Sequence, residues 1–300
     1  MGEPSLHKEG SPNLSLPRTE RMNVRLRLMT ADDMPEAMRL KDLAGWNQTA
    51  ADWERFLSAG PEGCFVAERE GRVVGTSTTI IYEGRFAWIG MVLVEQQFRG
   101  QGIGTALLER TIRHLDSRNV PCMKLDATPQ GKILYEKLGF VSEYDIERWM
   151  LKRQPREIVT MKSPVGIEDV LRLDREIFGA DRSGLLRSLT ETTPDFTLVA
   201  RGGARIEGYA FGRRGSLADH VGPWMARSED VAATLLDEFL RRSGRELVFV
   251  DCLRENPWAL PLVKARGFEF SRPLTRMFRG RNEHPGMPEL LCAVLGPEFG

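Results

Sequence analysis

The sequence has few cysteines, no long apolar run and no excess of either charge. No apolar run approaches the roughly 20 residues that a membrane span needs, and the N-terminus lacks the apolar core of a signal peptide. Lys plus Arg and Asp plus Glu both total 42, which gives no support to nucleic-acid or membrane-surface binding. The cysteines lie far apart without a Cys-x-x-Cys pair, so neither a metal site nor a disulfide framework is expected: Cys64, Cys122, Cys252 and Cys292. We therefore expect a cytoplasmic protein that binds neither membrane nor nucleic acid.

The length and composition are those of a globular protein with two ordinary domains. The chain has 300 residues, of which 41% are hydrophobic and 28% charged. Residues 1–22 are rich in Pro, Ser, Gly and charge, and we expect them to form a disordered tail. Order is predicted to begin at Val24, where apolar and basic residues alternate as in a half-buried strand.

The most informative stretch is Val92–Leu108, which reads VLVEQQFRGQGIGTALL. A β-branched run leads into a loop with glycines at 100, 102 and 104, and a helical pattern follows from Thr105. Glycines allow close backbone approach, and the first-turn N–H groups of a helix have no internal partner and carry the positive end of its dipole. The stretch therefore predicts a site for an anion such as the phosphate of a cofactor.

The spacing of this loop excludes two common phosphate loops. A P-loop needs Lys and then Ser or Thr after its last glycine, but Thr105 and Ala106 follow Gly104. The dinucleotide fingerprint G-x-G-x-x-G fails as well, because its third glycine would fall at Thr105 or Leu107. A glycine-rich turn without a ligand remains the alternative at this point.

Two segments resemble one known family. Arg99, Gly102 and Gly104 form R-x-x-G-x-G, which resembles the acetyl-CoA loop of the GCN5-related N-acetyltransferases (GNATs). Leu134–Phe140, which reads LYEKLGF, is similar to the Y-E-K-x-G-F segment that this family often carries after its fifth strand. The predicted order of strands and helices over residues 24–152 is also that of the family. The resemblance implies an α+β (mixed α/β) fold, with a mostly antiparallel twisted sheet flanked by helices.

A weak internal repeat indicates a second copy of this fold. Phe65–Glu68 compares with Leu198–Arg201, and Glu136–Phe140 with Lys264–Phe268. We therefore predict two tandem GNAT folds, a catalytic domain at 23–152 and a degenerate copy at 156–281. A tail at 1–22 precedes them, and a C-terminal extension at 282–300 follows them.

The second copy lacks the residues that suggest chemistry in the first. It has no R-x-x-G-x-G, and Glu229 and Asp230 stand where an anion would bind and would repel it. Counting back from Gly267 and Phe268 puts Leu262 at the position that matches Tyr135. We therefore expect only the first copy to be catalytic.

The resemblance implies a set of coenzyme contacts in the first copy. Backbone N–H groups of Val92 and Val94 are expected to bind the pantetheine arm and the acetyl oxygen, and Thr128 stands where the family often has an Asn that contacts the coenzyme. The pyrophosphate is expected on the loop: Arg99, Gly100, Gln101, Gly102, Ile103, Gly104 and Thr105.

Two side chains are candidates for proton transfer. Tyr135 matches the family position of an acid that protonates the leaving thiolate, although it could only pack on the coenzyme or hydrogen-bond its sulfur. An alkyl amine is largely protonated at neutral pH, so a base is useful. Asp126 is our first choice among three carboxylates, with Glu95 and Glu83 as the others, but it could instead cap the turn that follows it.

The predicted function is N-acetyl transfer. Acetyl would move from acetyl-CoA directly to a primary amine of a small molecule or peptide, without a metal and without a covalent enzyme intermediate. A non-catalytic acyl-CoA-binding regulatory protein and an acyltransferase for a longer acyl-CoA are the alternatives. A homo-oligomer is possible on this evidence.

Overall fold

A computed structural model describes residues 23–155 and 166–300. The tail predicted for residues 1–22 and the start of the segment predicted from residue 156 lie outside these residues. Within the described ranges, no helix combines the length and the apolar composition needed to cross a bilayer.

The first half of the molecule follows the order predicted from the sequence. The turn between its second and third strands places Glu70 and Gly71 at φ values of 52° and 77°, as a tight hairpin requires. The third helix begins at Ile103 rather than at Thr105, because Gly102 already acts as its N-cap. The strands are β1 (Arg25–Leu28), β2 (Phe65–Arg69), β3 (Arg72–Tyr82), β4 (Phe86–Val94), β5 (Cys122–Ala127) and β6 (Val141–Lys152), and the helices are α1 (Met34–Leu43), α2 (Ala50–Ala59), α3 (Ile103–Ser117) and α4 (Pro129–Lys137).

From its first helix onward, the second half repeats this order, so the prediction of tandem folds is confirmed. Its strands are β7 (Leu198–Gly202), β8 (Arg205–Arg214), β9 (Asp219–Ala226), β10 (Leu247–Leu253) and β11 (Glu269–Gly280), and its helices are α5 (Glu168–Phe178), α6 (Ser183–Thr192), α7 (Glu229–Arg242) and α8 (Ala259–Ala265).

The match to Tyr135 in the second half is Val263, and the sequence count that gave Leu262 is wrong by one residue. Phe140 N donates to Tyr135 O at 3.1 Å, and Phe268 N donates to Val263 O at the same distance. The two helices therefore end with the same pattern of backbone hydrogen bonds. An apolar side chain without a proton to give stands in place of the tyrosine.

The two halves share one sheet of 12 strands and exchange their last strands. The order is β1-β2-β3-β4-β5-β11-β6-β10-β12-β9-β8-β7. Strand β11 of the second half lies between β5 and β6, and β6 of the first half lies between β11 and β10. Only the β4–β5 and β9–β10 pairings are parallel among the described strands. Each half thus needs the other to complete its sheet.

A matched pair of buried ion pairs joins the exchanged strands. Arg276 of β11 binds both oxygens of Asp126 in β5, at 2.8 and 2.9 Å. Arg148 of β6 binds both oxygens of Asp251 in β10, at 2.7 Å each. All four groups are buried, and each arginine lies nine residues after the glycine that ends the preceding helix.

The C-terminal extension is part of the core. Residues 291–293 form strand β12 (Leu291–Ala293) between β9 and β10. The residues after it pack under the first half: Trp88 Nε1 donates to Pro297 O at 3.0 Å, and Tyr82 Oη donates to Phe299 O at 2.9 Å. The Phe299 ring stacks on Phe56 with centroids 4.9 Å apart. The extension therefore bridges the two halves.

Candidate active site

A cleft opens where β4 and β5 separate. The two strands pair only at Ala87 with Met123 and at Trp88 with Lys124. Beyond Trp88 they diverge, and a cavity of about 780 Å³ follows the free edge of β4 from Ile89 to Val94. Its volume is that of a pocket for a drug-sized ligand.

A bulge in β4 shapes this edge. Met91 has φ of 49°, an uncommon value for a residue with a side chain, and the pairing of β3 with β4 shifts between Thr76 and Thr78. Thr76 Oγ1 donates to Met91 O at 2.7 Å and so fixes the distorted backbone. Glu95 N donates to Val74 O in β3. Because N–H groups alternate along a strand, those of Val94 and Val92 point to the open side.

The cleft ends at the glycine loop, which leads into a helix N-terminus that no side chain caps. Gly100 and Gly102 have φ of 77° and 88°, values at which a side chain is strained. The helical hydrogen bonds begin with Ala106 N donating to Gly102 O at 3.0 Å, so the N–H groups of the three residues before Ala106 have no helical acceptor. Gly102 has no side chain to cap them. The loop therefore offers N–H groups and a helix dipole to an anion.

The loop residues predicted from the sequence do not all face the cleft. The Arg99 side chain is exposed, and its Nε donates to Val94 O at 2.9 Å, so it fastens the loop to the end of β4. Gln101 bonds instead to Gln97 O and to Arg69, away from the cavity. The predicted coenzyme contacts other than Gln101 line the cleft: Val92, Val94, Arg99, Gly100, Gly102, Ile103, Gly104, Thr105, Thr128 and Tyr135.

Tyr135 faces the cleft from α4 as a protonated phenol. Thr128 Oγ1 caps this helix by accepting a hydrogen bond from Gly131 N at 3.2 Å. Gly131 leaves room for the tyrosine, because a Cβ there would lie 3.0 Å from Tyr135 Cε2. Burial raises the pKa of Tyr135 to about 12, so its hydroxyl keeps its proton at neutral pH.

The geometry of Asp126 does not fit the free carboxylate that the sequence suggested. Its side chain is fully buried at the floor of the cleft, and Arg276 holds both of its oxygens. Burial raises the pKa of Asp126, whereas Arg276 stabilises its charge. The equivalent Asp251 makes the same pair in the second half, where no glycine loop exists. This repetition indicates that the two aspartates hold exchanged strands together.

The other two carboxylates named from the sequence lie outside the cleft lining. Glu95 accepts from Arg39 at 3.0 Å and from Gln97 at 2.7 Å. Glu83 is bound by Arg175 and by the Asp181 backbone N–H. Both carboxylates are thus engaged by neighbouring donors at the periphery.

Residues from the second half and from the extension complete the cleft near Gly90. A Cβ at Gly90 would lie 2.5 Å from Glu298 O, so only glycine lets the extension approach. Glu298 is 3% exposed, and Arg213 binds its Oε1. Sequence reasoning missed these residues, because no motif marks them and they come from distant parts of the chain: Arg272, Leu274, Pro297 and Glu298.

The corresponding region of the second half is closed. Strands β9 and β10 pair at Asp219–Val221 with Val248–Val250, and β12 then occupies the gap between them. Ser228 caps α7, with its Oγ accepting from Val231 N at 3.4 Å. Glu229 and Asp230 follow in the first helical turn and repel anions. The gap that could hold a pantetheine arm is filled by the chain itself.

Comparison with known proteins agrees with this geometry. Residues 60–142 and residues 170–291 each match a family described as an acetyltransferase (GNAT) domain. Holothin acyltransferase from Pseudoalteromonas sp. (strain SANK 73390) is 26% identical over 261 residues, which are 85% of this chain and 87% of that protein. Mycothiol acetyltransferase from Streptomyces coelicolor is 34% identical over 86 residues, 27% of this chain and 28% of that protein.

A solved structure supports the whole arrangement. A crystal structure from Pyrococcus horikoshii, described as that of an acetyltransferase, has a TM-score of 0.78 at 25% identity and covers 98% of this chain and 100% of that one. The element order and the glycine loop that leads into a helix are those that the sequence predicted. The chain belongs to the GNAT superfamily, carries two tandem GNAT domains and is an acyltransferase.

Proposed function

We propose that the first half binds acetyl-CoA in the cleft and transfers its acetyl group directly to an amine. The observation that carries the proposal is the parting of β4 from β5 into an uncapped, glycine-led helix. The N–H groups from Gly100 to Thr105 would bind the pyrophosphate, and the free edge of β4 would bind the pantetheine arm. The residues present fit the coenzyme, because the cavity runs continuously from the loop to Gly90.

In the reaction, the amine nitrogen attacks the thioester carbonyl carbon. A C–N bond forms, and negative charge develops on the carbonyl oxygen. The N–H of Val92 or Val94 would stabilise this charge, because a preformed donor in a water-poor site needs no reorganisation. Collapse of the intermediate breaks the C–S bond and releases the thiolate of CoA.

Tyr135 would assist the protonation of the leaving sulfur. A phenol of pKa about 12 is a weaker acid than a thiol of pKa about 8.5, so full transfer to a free thiolate is uphill. The hydroxyl would therefore donate a hydrogen bond to sulfur as the C–S bond breaks. It would pass its proton to sulfur only while accepting one from the acylated nitrogen, which leaves Tyr135 unchanged.

The acceptor is proposed to be an amine on a small molecule or peptide. A relative named holothin acyltransferase matches this chain along most of its length, and its name gives holothin as the acceptor of that protein. The cleft is of a size suited to small ligands.

A thiol-release assay tests the proposal. The full chain is mixed with acetyl-CoA and a panel of primary amines, and free CoA thiol is followed while calorimetry measures CoA binding. We expect saturable CoA binding and thiol release that depends on an amine. CoA binding without release for any acyl-CoA would identify a non-catalytic binding protein, and faster release from longer acyl-CoAs would identify a different donor. Absence of saturable CoA binding would contradict the proposal.

A further inference from the structure

Three side chains that line the cleft each bury a polar atom that has no hydrogen-bond partner among residues 23–155 and 166–300. These atoms are Gln48 Oε1, Glu298 Oε2 and Arg272 Nε, and all three residues line the cavity. Buried polar atoms usually have partners, so an unpaired group needs an explanation such as a ligand. Two of these atoms accept hydrogen bonds and one donates. They therefore suit a ligand that has both kinds of group.

Glu298 is held in place from one side only. Arg213 binds Glu298 Oε1, and Arg213 is itself fixed by Asp52 at 2.9 Å. Arg213 also lies 3.2 Å from His220 Nδ1. Since an arginine only donates, Nδ1 must accept, and Nε2 lies 3.0 Å from Asp251 Oδ2. This buried framework orients the carboxylate and leaves Oε2 for another donor.

Arg272 is a half-buried cation that forms no ion pair of its own within the part of the chain that the structure describes. The two carboxylates that act on it electrostatically are Asp251 and Glu298. Arg148 holds Asp251, and Arg213 holds Glu298. Burial and the nearby Arg148 lower the pKa of Arg272 to about 10, so it still carries its charge at neutral pH. A desolvated cation without its own counter-ion favours an anionic ligand.

We propose that the acceptor carries a carboxylate as well as an amine, as an amino acid does: Glu298 and Gln48 receive the amine, and Arg272 receives the carboxylate. This inference rests on the proposed acetyl transfer and assigns the chemistry of its acceptor. Glu298 Oε2 takes one proton from the ammonium, which frees the lone pair for attack on the thioester. The second proton leaves the nitrogen after the C–N bond forms and reaches the CoA sulfur. Glu298 then releases its proton to solvent, so that one amide, one thiol and one H⁺ result.

The first experiment compares acceptors that differ only at the carboxylate. The common amino acids are assayed beside their carboxamides and their decarboxylated amines, as three matched sets, by thiol release from acetyl-CoA. We expect kcat/KM for the best amino acid to exceed that of its carboxamide by about tenfold to a hundredfold, the size of a hydrogen bond between charged groups. Equal or faster reaction of the uncharged partners would overturn the inference.

The second experiment removes the proposed carboxylate receptor. In Arg272→Gln, KM for the amino acid should rise by about tenfold or more while the carboxamide reacts as before. Arg281→Gln is the matched control, because Arg281 follows the same strand and has a side chain that is 77% exposed. An equal loss for acid and carboxamide, or a rise only in KM for acetyl-CoA, would contradict the assignment.

The third experiment uses the pH profile of Glu298→Gln. If Glu298 accepts the amine proton, the variant should lose about a hundredfold in kcat at pH 7, and activity should recover as pH approaches the pKa of the amine, about 10. A uniform loss at every pH would point to a structural role instead.

Calorimetry separates the two levels of the proposal. If CoA binds and amines react but no carboxylate is preferred, the acceptor inference fails and the acetyl transfer stands. If CoA itself does not bind, the proposed function fails first.

Discussion

The two halves of the chain follow the same order of elements from their first helix onward, but the gap between their parallel strands is open in one half and filled in the other. In the first half, β4 and β5 part after Trp88 and leave a cleft. In the second half, β9 and β10 part after Val221, and β12 fills the space. The second half has therefore kept the fold while its own chain occupies the binding gap. The loss of a site does not require the loss of the architecture around it.

The helix that follows each gap shows the same contrast. Gly102 precedes α3 as its N-cap, with left-handed backbone and no side chain, which leaves the N–H groups of the first turn uncapped. Ser228 precedes α7, caps it with its side chain and is followed by two acidic residues. One N-terminus is arranged for an external anion, and the other is stabilised internally.

The largest expected effect tests the symmetry of the ion pairs. Asp126→Asn and Asp251→Asn should each lower the free energy of unfolding by about 3–5 kcal/mol, because each leaves a buried arginine without its counter-ion. Chemical denaturation measures both. Their effects on kcat in the folded state should be similar. A loss of about a hundredfold in kcat that occurs only in Asp126→Asn would instead identify Asp126 as a catalytic base.

The next effect concerns the loop that only the first half has. Gly102→Val should raise KM for acetyl-CoA by about a hundredfold, because a side chain at φ of 88° displaces N–H groups that bind a charged phosphate. Gly203→Val is the control, since Gly203 also has positive φ, at 66°, but lies in the β7–β8 hairpin at the opposite edge of the sheet. Steady-state kinetics of both variants, with thermal melting, separate binding from strain. An unchanged KM in Gly102→Val would argue against the loop.

A smaller effect is expected at the position where the first half has Tyr135 and the second half has Val263. Tyr135→Phe should lower kcat by about tenfold and leave CoA affinity unchanged, because it removes a hydrogen bond to the leaving sulfur. With a pKa of about 12, the tyrosine stays protonated below that pH, so it should add no falling limb to the wild-type rate up to pH 10. Val263→Ala, the matched change in the second half, should affect stability alone. Full activity in Tyr135→Phe would remove its proposed role.

The smallest effect tests the second helix cap. Ser228→Ala should cost about 1 kcal/mol of stability, measured by thermal melting, with KM for acetyl-CoA unchanged. A clear change in coenzyme binding would mean that the second half takes part in it.

Local sequence patterns predicted the helices and strands well, but they did not predict the pairing between distant segments. The glycines at 100 and 102 made the loop predictable, because a backbone with positive φ favours glycine. Gly139 and Gly267 likewise indicated equivalent helix ends. Strand exchange could not be read from the sequence, since β11 would pair equally well by pattern with either half. The filling of one gap by β12 and the approach of Glu298 to Gly90 also depend on how a distant terminal segment packs.

The most direct test of the account is a crystal structure of the full chain with acetyl-CoA bound. We expect one coenzyme per chain, with its pyrophosphate on the N–H groups between Gly100 and Thr105 and its acetyl group near Val92 and Tyr135. The gap between β9 and β10 should still contain β12. A coenzyme in that second gap, with β12 displaced, would contradict the assignment of the two halves.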